Sequence, residues 1–293
     1  MQNAPVKIGM VGLGRMGAGM TERLRGAGHT VQTFDPKVES TASSVEELVG
    51  QLEPPRAVWV MVPAGDVTEQ VFQQLLGLLE PGDTIVEGGN SNFRDSVRRG
   101  EECGARNLHF VDAGVSGGIW GLREGFCLMV GGDAEAVGRL EPVFLALAPE
   151  GGYAHVGKGG AGHFAKMVHN GIEYGIMQSY AEGFELMQAA EFGYDLRQLA
   201  ALWNRGSVVR SWLLELLETA FEQHPGLEGI RGWVQDSGEG RWTVQEAVEH
   251  AVPLPAISAA LFARFASRQD ESFAAKVNSA LRGQFGGHDV PTE

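Results

Sequence analysis

The segment VKIGMVGLGRMG constrains the fold more than any other part of this 293-residue chain. Residues 6–13 form a short apolar run ending in glycine, the pattern of a buried strand. Gly12, Gly14 and Gly17 follow in G-x-G-x-x-G spacing, then a helical stretch through Arg25 and a second strand, HTVQTFD, closing at Asp35. Strand, glycines, helix, strand and acid in that order read as a dinucleotide-binding unit. The first glycine permits the tight turn, the second lets backbone approach a pyrophosphate, and the third lets helix and strand pack closely. The helix N-terminus offers N–H groups and a partial positive charge to the phosphates. The expected cofactor contacts are therefore Gly12, Leu13, Gly14, Arg15, Met16 and Gly17. Asp35 would accept hydrogen bonds from a ribose 2′-OH and repel a 2′-phosphate, so NAD is the expected cofactor. Lys37 nearby admits NADP as the weaker alternative. On local grounds alone, Asp35 before Pro36 also fits an ordinary turn.

Further apolar runs at residues 57–62, 84–89, 109–115 and 126–132 alternate with helical patterns, notably Val67 to Leu79. Alternation of this kind predicts a mostly parallel sheet covered on both faces, with ligands beyond the carboxyl ends of its strands. The loops MVPAG, EGGNSN and DAGVSGG fall at those ends and are where chemistry is expected, with Val62, Pro63 and Asn90 the expected cofactor contacts among them. After GKGGAG (157–162) the pattern turns helical. His163 to about Phe192 contains no proline and repeats apolar residues at helical spacing, and Gly193 is a natural stop. Such a helix is about 45 Å long, enough to join two domains. Four more helical stretches follow, so the expectation is an α/β Rossmann-type domain over residues 1–160 and an all-α domain over 161–293.

Within that long helix, Lys166, His169, Asn170, Glu173 and Tyr174 stand at i, i+3, i+4, i+7 and i+8 and share a face. A solvated stripe would look similar. The face also mixes base, imidazole, amide, acid and phenol, so a wall of an active site stands as the alternative to a wet surface. With 23 basic and 37 acidic residues the formal charge is −14, which argues against nucleic acid or an anionic membrane as partner. Cys103 and Cys127 are too few for a disulfide framework or a thiolate metal site, and no metal is expected. No apolar run approaches the roughly 18 residues needed to span a bilayer, and no signal-like N-terminus is evident, so the expected location is cytoplasmic.

DAGVSGGIWGLREGFCLMVGG (112–132) resembles the substrate signature of the β-hydroxyacid dehydrogenases, two-domain nicotinamide enzymes, and Lys166 stands where that family keeps its catalytic lysine. Within it, Lys166 followed by His169, Asn170, Gly171, Glu173 and Tyr174 is similar to the 6-phosphogluconate dehydrogenases, as are EGGNSNFRD, DSGEGRWT and FARFASR. The length suits a short-chain form with an unduplicated helical domain. The resemblance implies oxidative decarboxylation of 6-phosphogluconate to ribulose 5-phosphate. Lys166 would be the base and Glu173 the proton donor. Asn170, Ser116, Gly117 and Gly118 would orient carboxylate and hydroxyls, with His169 beside them and Asn90 between nicotinamide and sugar. Tyr174 and Arg264 would hold the phosphate, although composition alone reads Arg264 as a surface residue of an amphipathic helix. One departure stands out: long-chain relatives carry lysine and threonine where Ser237, Gly238 and Glu239 stand here, and Glu239 would repel a phosphate unless it faces away.

The end of the chain, ALRGQFGGHDV, is by default a loose tail. Its Arg282 and His288 form an anion-binding pair, and the family resemblance implies that both reach into a neighbouring subunit's site, making the protein a homodimer or homotetramer. Two rivals remain: a β-hydroxyacid dehydrogenase acting on a small acid without decarboxylation, and a non-catalytic dinucleotide sensor.

Overall fold

A computed structural model describes residues 5–286, and the chain divides into two compact units, Met1–His169 and Asn170–Glu293. The first unit is built on a seven-stranded sheet of order β2-β1-β3-β4-β5-β6-β7. Its strands are β1 (Lys7–Val11), β2 (Thr30–Phe34), β3 (Ala57–Val60), β4 (Thr84–Glu87), β5 (His109–Ser116), β6 (Cys127–Gly132) and β7 (Tyr153–Gly157). All neighbours pair in parallel except β5 and β6, which run antiparallel. Helices α1 (Arg15–Gly26), α2 (Val45–Gly50), α3 (Asp66–Leu78), α4 (Phe93–Gly104), the short α5 (Gly121–Glu124) and α6 (Ala134–Leu147) connect the strands.

Successive residues of a strand point to opposite faces, so a sheet covered on both sides needs apolar residues at every position. The chain supplies them. Met10, Trp59 and Val86 enter one buried cluster with Met20, Leu24 and Phe144 from α1 and α6. Their neighbours Val11, Val58 and Ile85 enter another, with Leu48, Phe72 and Leu75 from α2 and α3.

The predicted long helix is α7, Ala161–Ala189, and it carries the chain into the second unit. The rest of that unit is helical: α8 (Leu196–Trp203), α9 (Trp212–Gln223), α10 (Glu239–Glu249), α11 (Pro255–Ala266) and α12 (Phe273–Gly286). Phe184, Ala200, Leu214 and Phe221 form one small core, and Tyr174, Ala260 and Leu261 another. Gly171 and Gly240 explain how α7 and α10 come so close. A Cβ at Gly171 would lie 2.8 Å from Thr243 Cγ2, and one at Gly240 would lie 2.6 Å from Tyr174 Cε2. The glycine that weakens α7 as an isolated helix is thus the contact that docks it. Among the described residues no helix is long and apolar enough to cross a membrane.

Candidate active site

The glycine loop after β1 has the geometry its spacing requires. Gly12 has φ +98°, its N–H donates to Phe34 O at 2.8 Å, and a Cβ there would fall 2.4 Å from Met61 O. Gly17 passes so near this turn that its Cβ would sit 2.1 Å from Gly12 O. Gly14 caps α1 in an extended conformation without any side-chain cap, and a Cβ on it would meet nothing. Arg15 is exposed and Leu13 and Met16 are half-buried. An open glycine at an uncapped helix N-terminus is a cradle for phosphate oxygens, so these residues fit a dinucleotide. Asp35 is locked beside the cradle: its two carboxylate oxygens accept the N–H of Leu13 and of Lys37, each at 2.8 Å. Each oxygen keeps a second lone pair for ribose hydroxyls. Val62 and Pro63 follow β3, with the Pro63 carbonyl accepting from Thr68 at 2.9 Å, and Asn90 is exposed after β4.

The start of α7 is pressed onto the sheet by three glycines. A Cβ at Gly114 of β5 would lie 2.5 Å from Lys166 Cβ, and one at Gly162 would lie 2.5 Å from Asp112 O. A Cβ at Gly131 would meet Asp112 Oδ1 at the same distance. Asp112 is fully buried and its carboxylate accepts the N–H of Gly160 and of His163, each at 2.7 Å, which satisfies orphan donors of the first turn. Lys166 is left only 7% exposed against the sheet. Ser116 ends β5, followed by Gly117 at φ +127° and Gly118 at φ +53°, conformations that favour glycine.

The first turn of α7 also meets a buried polar network that the motifs did not single out, through His163. Glu87, at the end of β4, accepts from Arg99 Nη1 at 2.6 Å and Ser96 Oγ at 3.3 Å, and the hydroxyl of Ser91 also donates to it. Ser96 Oγ is 2.7 Å from His163 Nδ1. Arg99 reaches outward to Glu69 at 2.9 Å. Burial pushes the Glu69 carboxyl up, but donors from Arg98, Gln73 and Arg99 outweigh it and hold the pKa down to about 2. The sequence signal for the network was the acid Glu87 closing the apolar run TIVE.

In the second unit, Tyr174 is buried and Arg264 lies over its ring, the guanidinium carbon 3.5 Å from the centroid. Arg264 Nη1 donates to Gln235 O at 2.7 Å and Nη2 to Met177 Sδ at 3.8 Å, so it is a held arginine, not a loose surface one. Ser237 Oγ is 3.5 Å from the Tyr174 hydroxyl and donates to Glu239 Oε2 at 2.6 Å. Glu239 is 3% exposed, so the carboxylate that would repel a phosphate is turned inward. Asn170 is buried and Glu173 half-buried on α7, and Arg282 is exposed on α12. His169 is half-buried at the end of the first unit. His288 lies outside the described residues. Among those described, no cluster of His, Cys, Asp or Glu could hold a metal ion.

Comparison with known proteins matches these features. The family model described as the NAD binding domain of 6-phosphogluconate dehydrogenase covers residues 7–157, and that of the 6-phosphogluconate dehydrogenase C-terminal domain covers 162–287. The Bacillus subtilis (strain 168) protein YqeC is 42% identical over 293 residues, spanning 97% of this chain and 98% of its own. The NAD(+)-dependent, decarboxylating 6-phosphogluconate dehydrogenase of Haloferax volcanii is 44% identical over 298 residues, with 97% and 98% covered. The solved Plasmodium falciparum 6-phosphogluconate dehydrogenase, studied with NADP+ and 6-phosphogluconate, superposes with a TM-score of 0.77 at 27% identity, over 98% of this chain and 66% of that one. The chain belongs to the 6-phosphogluconate dehydrogenase family, and is an oxidoreductase of that type with a nicotinamide dinucleotide as cofactor.

Proposed function

We propose that the chain oxidatively decarboxylates 6-phosphogluconate to ribulose 5-phosphate and carbon dioxide, in the cytoplasm, with NAD preferred over NADP. Residues 1–160 would bind the dinucleotide, and residues 161–293 the substrate and a second copy of the chain. The observation that carries this reading is the seating of Lys166, buried on Gly114 at the start of the helix that continues through His169, Asn170, Glu173 and Tyr174. A sensor of dinucleotides has no use for a buried amine followed by a carboxyl two turns on. NAD preference rests on Asp35 and on the cofactor named for the Haloferax volcanii relative.

When bound, the dinucleotide supplies the acceptor for the hydride leaving C3. Lys166 takes the C3 hydroxyl proton, so that the carbon becomes a ketone and the substrate a β-keto acid. The C1–C2 bond then breaks, carbon dioxide departs, and its bonding electrons move through C2 to the C3 oxygen, where protonated Lys166 donates. Glu173 delivers a proton to the former C2, which becomes C1 of ribulose 5-phosphate. Asn90, Ser116, Gly117, Gly118, His169 and Asn170 orient the carboxylate and hydroxyls. Tyr174 and Arg264 hold the phosphate, for which a planar guanidinium fixed on an aromatic ring presents a ready fork. Arg282 and His288 complete the site from the second copy.

Lys166→Met is expected to abolish NADH formation, while Glu173→Gln slows release of product and leaves the first oxidation in place. Each acid–base role is worth about 10²- to 10⁴-fold in rate. Near-native turnover by folded Lys166→Met, measured by NADH absorbance, contradicts the assignment.

A further inference from the structure

His163 stands one turn before Lys166 on the same helix and has no part in the chemistry proposed above. It is 2% exposed, its Nδ1 lies 2.7 Å from Ser96 Oγ, and its Nε2 is buried without a hydrogen-bond partner. A side chain kept only to fill space would be better as leucine or phenylalanine, because a buried nitrogen without a partner is destabilising. The one bond the ring does make therefore has to account for it.

That bond ends on Glu87. Three donors converge on this carboxylate: Arg99, 2.6 Å away, Ser91, and Ser96 at 3.3 Å. With the Ser96 hydroxyl turned to Glu87, its oxygen is free to accept, so Nδ1–H of His163 is the donor and Nε2 is left as a bare lone pair. Ser91 follows Asn90 in the loop after β4, and Ser96 lies in the first turns of α4. One buried carboxylate thus joins the loop of Asn90 to the helical turn of Lys166. Packing follows the same line. Phe93 and Phe164 meet edge to face at 5.0 Å, and a Cβ on Gly160 would strike Val97 Cγ2 at 2.6 Å.

We propose that His163 is a positioning residue: its Nδ1–H bond to Ser96, anchored on Glu87 and Arg99, holds the Lys166 turn in register with the Asn90 loop. Base and loop must keep one placement through proton removal and bond cleavage, and a displacement near 1 Å can cost about 10²-fold in rate. The inference rests on the proposed reaction for its kinetic consequence but not for its geometry.

The test uses full-length His163→Leu, His163→Asn and Ser96→Ala. Asparagine puts an amide near the former Nδ1 and restores the donor, whereas leucine does not. His163→Leu is expected to lose about 10²-fold in kcat with 6-phosphogluconate while KM for substrate and cofactor barely move. His163→Asn should recover most of that loss, and Ser96→Ala should fall between them. Substrate deuterated at C3 should give a larger isotope effect in the Leu variant, as hydride transfer becomes limiting. Independently of turnover, nitrogen NMR of the unliganded protein should show His163 protonated at Nδ1. Amide exchange at residues 164–167 should also quicken in Ser96→Ala while other helices stay protected. Unchanged kcat in folded His163→Leu, or Asn no better than Leu, overturns the inference. So does a proton on Nε2 alone. If His163→Leu does not fold, Ser96→Ala carries the same comparison. A wild-type protein inactive on 6-phosphogluconate sinks the functional reading instead, and the NMR and exchange results then decide the positioning claim alone.

Discussion

The sheet unit and the helical unit bury their apolar residues to very different degrees. In the first, every strand from β1 to β4 contributes to clusters on both faces, and Ile8, Met10, Val58, Trp59 and Val86 are fully buried. In the second, two small clusters form, while Leu186, Phe192, Val208, Val248 and Phe273 are 73–100% exposed. A soluble protein rarely leaves that much apolar surface to water unless another surface covers it. The first unit's share of the proposed site is fixed by its own interior: Lys166 by Gly114, the start of α7 by Asp112, the Asn90 loop by Glu87. The second unit presents Arg264, partly exposed and stacked on Tyr174, together with exposed Arg282. This contrast is the physical basis for the proposed association with a second copy.

The largest effect is expected from mixing. An inactive Lys166→Met chain combined with an inactive Arg282→Ala, His288→Ala chain should regain activity, because one of the two sites in a mixed dimer keeps every native group. No recovery, with subunit exchange shown by mass, would mean that the second unit does not lend these residues to its neighbour.

Within the first unit, a methyl group should be enough to break the seating of Lys166. Gly114→Ala places a Cβ 2.5 Å from Lys166 Cβ and 2.7 Å from Gly162 O, an overpacking expected to cost about 1–3 kcal/mol. Melting temperature and activity should fall together. In the second-unit part of the same helix, Gly183 has nothing within 4 Å of its Cβ, so Gly183→Ala should instead raise stability by about 0.5–1 kcal/mol. Equal responses at the two glycines would erase the contrast between the units.

Arg264→Lys sharpens it on the other side. Lysine keeps the charge but loses the planar stack on Tyr174 and the fork, so KM for 6-phosphogluconate should rise about tenfold, roughly 1.4 kcal/mol. NAD binding should not change. An unaltered KM would leave Arg264 as a structural bridge between Tyr174 and Gln235.

Features carried by local pattern were legible in the sequence. The glycine loop, the strands up to β6, and α7 within a few residues of its limits all follow from runs and spacing. Strand β7 was not, because YAHVG is mostly exposed and has no apolar run to mark it. Nor was the antiparallel turn of β5 against β6, since an apolar run does not reveal its direction. The Glu87–Ser96–His163 network joins residues far apart in the chain, and only the fold brings them together. The inward turn of Glu239 is similar: its charge was readable, but its Ser237 partner and burial were not.

The most direct measurement follows both products from one substrate. With 6-phosphogluconate labelled with carbon-13 at C1, NAD and wild-type protein, the account predicts one labelled carbon dioxide for each NADH, and lower catalytic efficiency with NADP. NADH without carbon dioxide would make the chain a hydroxyacid dehydrogenase that does not decarboxylate. Neither product, from folded protein that binds NAD, would contradict the proposed reaction outright.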